Sequence, residues 1–414
     1  MSNPEDLSVD LISDGRADER PVTARTALII ERLVSGLRAG RLRIVLPSGP
    51  PLQISGREPG PQATVVLKRW RAVRRLAIGG DIGFAESFVD GDWTSPDLVA
   101  FVRLAARNRE ASDCAIRGSK LQRAVDRLRH LLRRNSRRGS RRNIVAHYDL
   151  GNAFYSLWLD GAMQYSSGIF ETGAETLETA QARKIARIAE LLELDDGDSV
   201  LEIGCGWGGL AERLASEKKA RVTALTLSPA QRTWANALAA ASGLADSIDV
   251  RLQDYREVEG SFDRIVSIEM LEAVGEAWWP TYFRVIADRL KPGGSAVLQG
   301  ITIADDRYDA YRRAPDFIQK HIFPGGFLPS RSALIAQIAG AGLRLVHSET
   351  FGSSYARTLA EWRARFIARW ADIAAQGFDE RFSRLWTYYL SYCEAGFAEG
   401  AIDVGLYVIE RDAP

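Results

Sequence analysis

Four glycines within six residues let a backbone approach a ligand more closely than side-chain-bearing residues can. Gly204, Gly206, Gly208 and Gly209 are spaced in this way in VLEIGCGWGG. A short apolar strand carrying Glu202 runs into them, and a helical segment, LAERLAS, opens behind them. Such a passage lies at the carboxyl end of a parallel strand, where open α/β sheets bind ligands. The spacing is GxGxGG rather than the GxGxxG of dinucleotide enzymes. Glu202, Gly204, Cys205, Gly206 and Gly208 are therefore candidate cofactor contacts, against the plain alternative of a tight turn with no ligand. Two later strand ends, Thr226-Leu227-Ser228-Pro229-Ala230-Gln231 and Gln253-Asp254-Tyr255-Arg256, fall over the same point. They add Thr226, Leu227, Ser228, Gln231, Asp254, Tyr255 and Arg256. The four histidines and three cysteines are scattered without metal-ligand spacing, so no metal site is expected.

These residues need a sheet to hold them. SVLEIG, RVTALTL, IDVRLQD, FDRIVSIEM and SAVLQGITI are strand-like runs rich in β-branched residues, separated by helical segments such as PAQRTWANALAAASG. LRLVHSETFG and AIDVGLYVIE add two late strands. The pattern predicts a doubly wound α/β sheet over 143–414. Upstream, 23–116 reads as a small α+β domain, with strands in LRIVLPSG and ATVVLKRW and helices in TALIIERLVSGLRAG and SPDLVAFVRLAARN. Residues 1–22 read as a flexible tail.

The chain has 414 residues, 46% of them hydrophobic, enough for two domains with a sizeable core. No apolar run is long enough to span a bilayer, and the acidic N-terminus does not resemble a signal peptide. A formal net charge of +1 conceals an asymmetry: residues 117–142 hold eleven Lys or Arg against the single acid Asp126. Leu121, Val125, Leu128 and Leu132 recur there at helical spacing, giving an amphipathic helix with a cationic face, followed by a linker. An anionic lipid surface is the expected partner; a solvated strut is the alternative. Nucleic acid is not expected, because no aromatic residue interrupts the basic run.

The glycine block resembles motif I of the S-adenosylmethionine-dependent methyltransferases, with ribose and adenine contacts implied at the next two strand ends. The flanks narrow the family. HYDLGNAFYSLWLD with Met163-Gln164-Tyr165-Ser166-Ser167, then SIEMLEAVGE, HIFPGGFLPS, FGSSYARTLAEW and RFSRLWTYYLSYCEAGF together resemble the cyclopropane-fatty-acyl-phospholipid synthases and the mycolic acid cyclopropane synthases. GDIGFAESFVDGDW resembles, more weakly, the small N-terminal domain of the phospholipid enzymes. The resemblance implies a class I methyltransferase (Rossmann-like) sheet. It implies a cytoplasmic enzyme, peripheral on the inner face of the membrane, that adds a methylene across a cis double bond of a phospholipid acyl chain. A homodimer is left open.

An alkene is a poor nucleophile, so the methyl carbon must be held in contact with it, and the resulting carbocation must lose one proton in a dry site. In this family a bound bicarbonate is taken as the base. The resemblance places Glu272 and Tyr355 around it, with Cys393, and Ser167 and Ile301 supply backbone contacts. Tyr165 and Ser166 fall beside the cofactor. Three positions depart: Ser167 stands for a Cys, Gln299 for a His, and Ala273 for the His that often follows the Glu. Glu269 is a rival acid three residues earlier. The departures leave two other functions open. One is a lipid C-methyltransferase giving a methyl-branched or methylene product without ring closure; the other is a catalytically silent lipid-binding homologue.

Overall fold

The computed structural model describes residues 36–109 and 150–412. The expected tail 1–22 and the basic segment 117–142 lie outside the described residues.

The small domain is built on β1 (Ala39–Val45), β2 (Leu52–Ser55), β3 (Glu58–Leu67) and β4 (Trp93–Thr94), in the order β2-β1-β3-β4. A helix, Arg71–Val89, and a second, Leu98–Arg107, accompany the sheet. The first of these helices and β2 were not among the elements expected from the sequence. Gly79 and Gly80 interrupt the helical pattern, and Gly80 bends the helix with φ of 63°.

The large sheet comprises β5 (Ser199–Ile203), β6 (Arg221–Thr226), β7 (Ile248–Leu252), β8 (Phe262–Ile268), β9 (Leu290–Ile303), β10 (Arg344–Thr350) and β11 (Ile402–Glu410). Every strand expected over 143–414 is present. The order is β10-β11-β9-β8-β5-β6-β7. β5 pairs in parallel with β6 on one side and β8 on the other, while β11 runs antiparallel to its neighbours β9 and β10. The chain thus winds outward from β5 to β7, then returns to β5's other side. That reversal opens the crevice at the carboxyl end of β5.

Alternate strand residues face opposite ways. Val200, Val266 and Val297 pack beneath the helices Leu177–Leu192 and Gly209–Lys218. Their neighbours Leu201, Ile265 and Ala296 pack beneath Trp279–Arg289 and Arg331–Gly340. A third, aromatic core joins the small domain to the helices Gly352–Ala368 and Glu380–Ala398. Ion pairs at its rim join the same parts: Asp90 with Arg381 at 3.0 Å, and Glu399 with Arg103 at 2.6 Å.

Candidate active site

β5 delivers Glu202 and then turns. Gly204 and Cys205 donate their N–H groups to Leu225 O at 3.0 and 2.8 Å, which ties the turn to the end of β6. Gly204, Gly206 and Gly208 all have positive φ, of 85°, 53° and 88°. The turn borders a cavity of about 870 Å³. Tyr165, Ser166, Glu202, Gly204, Cys205, Gly206, Thr226, Leu227, Gln231 and Tyr255 line it.

Four expected cofactor contacts do other work. Gly208 begins the helix Gly209–Lys218, and a Cβ on it would come within 2.9 Å of Ala235. Ser228 caps the helix Pro229–Ala241 by accepting from Gln231 N. Asp254 and Arg256 bind each other, with Nη2 2.6 Å from the carboxylate, and both are buried away from the cavity wall. Arg256 also lies over Trp278, 5.1 Å from the ring centre. The side chain between them, Tyr255, faces the cavity instead, together with Gln253.

A buried charge network stands behind the turn. Lys184 donates to Gln164 Oε1 at 2.8 Å and to Ser166 Oγ at 2.9 Å. Burial lowers its pKa to about 8, although Asp160, Glu269 and Glu202 pull it back up. Burial raises Glu202 to about 7, and one of its carboxylate oxygens has no partner. S-adenosylmethionine fits these features. Glycines admit it at the backbone, and Glu202 offers a buried acceptor to its hydroxyl or ammonium groups. Lys184 was not anticipated, although the signal was present. It sits between Ala180 and Ile188 on the apolar stripe of its helix, where a solvated lysine does not belong.

On the other side of the cavity two carboxyl groups occupy different environments. Glu269 Oε1 accepts from Ser167 N at 2.9 Å and from Gln299 Nε2 at 2.8 Å; its Oε2 accepts from the Tyr355 hydroxyl at 2.6 Å. Glu272 Oε1 accepts from Ile301 N, at 2.5 Å, and its Oε2 is buried without a partner. Burial, with the charge of Glu269 added, raises Glu272 to about 8. Its burial and single backbone donor favour the protonated form, in contrast to the anion-facing role that the resemblance implies. Cys393 lines the same cavity, where burial pushes its thiol up, so it is a protonated wall group and not a nucleophile.

A bicarbonate ion does not fit this arrangement. The donors that would hold it, at positions 167, 299 and 355, all donate to Glu269, whose negative charge opposes a second anion.

The raised pKa of Glu272 has a stability consequence. Between the unfolded value of 4.5 and about 8 the folded chain holds a proton that the unfolded chain has lost. Its contribution is complete below 4.5 and gone above about 8. Thermal unfolding of the cofactor-free protein should therefore occur at lower temperature as pH rises through this window. Glu272→Gln, which keeps the shape of the neutral acid, should flatten that fall. An unchanged pH slope in the variant would mean that Glu272 ionises normally.

Comparison with known proteins places this geometry. Residues 135–406 match the family model of mycolic acid cyclopropane synthetase. The tuberculostearic acid methyltransferase of Mycobacterium tuberculosis is 37% identical over 95% of this chain and 93% of its own length. The cyclopropane-fatty-acyl-phospholipid synthase of Escherichia coli K12 is 36% identical over 87% of this chain and 90% of its own. Among solved structures, a mycolic acid cyclopropane synthase complexed with S-adenosylhomocysteine aligns with a TM-score of 0.62 at 31% identity, covering 65% of this chain and 98% of that one. The glycine turn, the switch-point crevice and the carboxyl pair thus sit in a chain that belongs to the S-adenosylmethionine-dependent family of mycolic acid cyclopropane synthetases and cyclopropane-fatty-acyl-phospholipid synthases.

Proposed function

We propose that this chain transfers a methyl group to a double-bond carbon of an unsaturated acyl chain in a phospholipid, and then removes one proton. S-adenosylmethionine supplies the electrophilic methyl carbon on a sulfonium. The observation that carries the acyl substrate is the apolar lining of the cavity. One cavity is bordered by the glycine turn, by Glu269, Met270 and Tyr355, and by Leu42, Ile44, Val65 and Leu67 of the small domain. A mid-chain double bond lies roughly eight or nine methylenes below the headgroup, and moving those into water costs about 7 kcal/mol at ~0.8 kcal/mol each. An apolar sleeve offsets that cost.

The walls suit a cationic centre. Tyr165 and Tyr389 share a hydroxyl hydrogen bond at 2.9 Å, and the Tyr355 ring stacks on Phe397 at 4.4 Å. Aromatic faces and the Glu269 carboxylate favour positive charge.

The product we propose is the uncyclised one, a methylene chain or a methyl-branched chain that keeps one C=C bond. The support is twofold. The relative matching 95% of the chain is named a methyltransferase, and Ser167, Gln299 and Ala273 depart from the ring-closing pattern. Ring closure is the second reading, favoured by the match to the Escherichia coli synthase. The purified protein, given S-adenosylmethionine and cis-monounsaturated phospholipid vesicles, should release S-adenosylhomocysteine and yield acyl chains heavier by one CH₂. Catalytic hydrogenation should then add one H₂ to those chains. A product that resists hydrogenation is the cyclopropane, and no S-adenosylhomocysteine at all would reject the reading.

Docking on anionic lipid through residues 117–142 is part of the proposal, since each basic residue near such a surface contributes about 1 kcal/mol. Replacing Arg133, Arg134, Arg137 and Arg138 together by Gln should weaken sedimentation with anionic vesicles and reduce its salt dependence. Calorimetric affinity for S-adenosylmethionine should be unchanged. Equal vesicle binding by both proteins would return the segment to a strut. Among the described residues no helix is long and apolar enough to cross a membrane.

A further inference from the structure

We infer that the proton acceptor of this enzyme is its own Glu269, whose carboxylate occupies the hydrogen-bonding position expected of a bicarbonate ion. The inference rests on the methyl-transfer reading above and names the base within it.

Three observations converge. Every donor near the carboxylate points at it: a backbone N–H from Ser167, an amide N–H from Gln299 and the hydroxyl of Tyr355. An ionised carboxylate offers about four lone-pair sites, and three are used here, leaving one on Oε2. Glu269 also lines the cavity, next to Met270, which packs against Gly204. Finally, its backbone is held at φ of 49°, a conformation uncommon for a residue with a side chain. Its N–H donates to Gln299 O at 2.8 Å, so β9 fixes the strained turn. Strain of this kind persists where surrounding contacts over-determine a side chain's aim.

The residue types at the departing positions now have a reason. A protonated histidine at 299 would neutralise a buried anion by ion pairing. A glutamine only donates to it, so the carboxylate keeps its charge and its basicity. Burial raises Glu269 while its three donors pull it back, which suits a general base. Three donors meet the Glu269 carboxylate and a single backbone N–H meets that of Glu272, so Glu269 is the better-stabilised anion of the pair.

The step balances. The S–CH₃ bond breaks as the alkene's π electrons form the new C–C bond, so the sulfonium leaves as a neutral thioether and the neighbouring chain carbon becomes electron-deficient. A C–H bond of the transferred carbon then breaks, and its proton passes to Glu269 Oε2. The electron pair forms a C=C bond once a hydride has moved between the two chain carbons. Without that shift, the same pair closes the ring. The carboxyl returns the proton to water when product leaves.

The test uses the full-length protein with S-adenosylmethionine and monounsaturated phospholipid vesicles. S-adenosylhomocysteine release by the wild type decides the methyl-transfer reading first. In buffer stripped of carbon dioxide the wild type should then turn over within about twofold of its rate with added bicarbonate, while Glu269→Gln loses about 100-fold or more in kcat. Calorimetry should show cofactor affinity in that variant within about threefold of wild type. Glu269→Gly should be equally slow, and added formate or bicarbonate should restore part of its rate saturably. A purely structural glutamate would not respond to an anion. Bicarbonate dependence of the wild type, full turnover by Glu269→Gln, or no anion rescue of Glu269→Gly would each overturn the assignment, even with methyl transfer established.

Discussion

Gly204→Val should lose S-adenosylmethionine binding by more than about 100-fold, roughly 2.7 kcal/mol. Gly204 adopts φ of 85°, and a Cβ there would meet Met270 Cγ at 2.9 Å. A β-branched residue does not accept that backbone conformation, and its methyls would enter the cavity. The turn cannot rotate to relieve this, because Gly204 N and Cys205 N are both tied to Leu225 O. Gly206→Val should fail for a different reason. No atom lies within 4 Å of its Cβ, so the side chain would occupy the ligand's space. Gly197 has a similar φ of 86°, open surroundings and no place in the cavity wall. Gly197→Val should therefore lose stability and keep its affinity. Titration calorimetry on the three folded variants separates strain from obstruction, and retained affinity in Gly204→Val would remove this turn from the cofactor site.

The second large effect lies far from the glycines. Trp93 is 1% exposed, stacks on Phe84 at 4.4 Å and donates its ring N–H to Phe84 O at 2.9 Å. Phe101 meets it edge-on at 5.2 Å. Trp93→Ala should cost about 3–5 kcal/mol, chiefly through lost packing, since the Phe84 carbonyl keeps the Ser87 hydroxyl as a donor at 2.6 Å. Phe84 and Phe101 line the cavity, so the damage reaches the acyl sleeve. A denaturant titration should show an early transition absent from the wild type. Cofactor affinity should hold, and turnover on phospholipid should drop at least tenfold. Intact turnover would show that the small domain contributes no wall to the substrate path.

The large sheet was readable because its strands are apolar, β-branched and separated by helical periodicity, and the glycine turn because few other residues tolerate that backbone. The small domain was less legible. Gly79 and Gly80 broke the pattern of a real helix, whose buried residues Val73, Leu76, Ala85 and Phe88 lie on both sides of the bend. Asp254 and Arg256 had the composition of ligand contacts but sit two apart, close enough to satisfy each other. Glu269 stood only as a rival to Glu272, and which of the two gathers the hydrogen-bond donors could not be read. It depends on Gln299 and Tyr355, which lie 30 and 86 positions from Glu269 in the chain. It also depends on a positive φ that no composition announces.

The cavity has a division of labour built into its walls. The large sheet contributes the glycine turn and Glu269 to its lining, and the small domain contributes Leu42, Ile44, Val65 and Leu67. The mycolic acid cyclopropane synthase that aligns here is accounted for almost wholly by 65% of this chain. On the acyl-chain reading proposed above, the small domain would act as a depth gauge: how far the chain enters along these side chains would set which of its carbons stops beside the methyl donor. Changes at those four side chains would move the modified position along the chain and leave the bond-making chemistry as it was. Selection can thus tune the address of the reaction and the reaction itself in separate stretches of sequence.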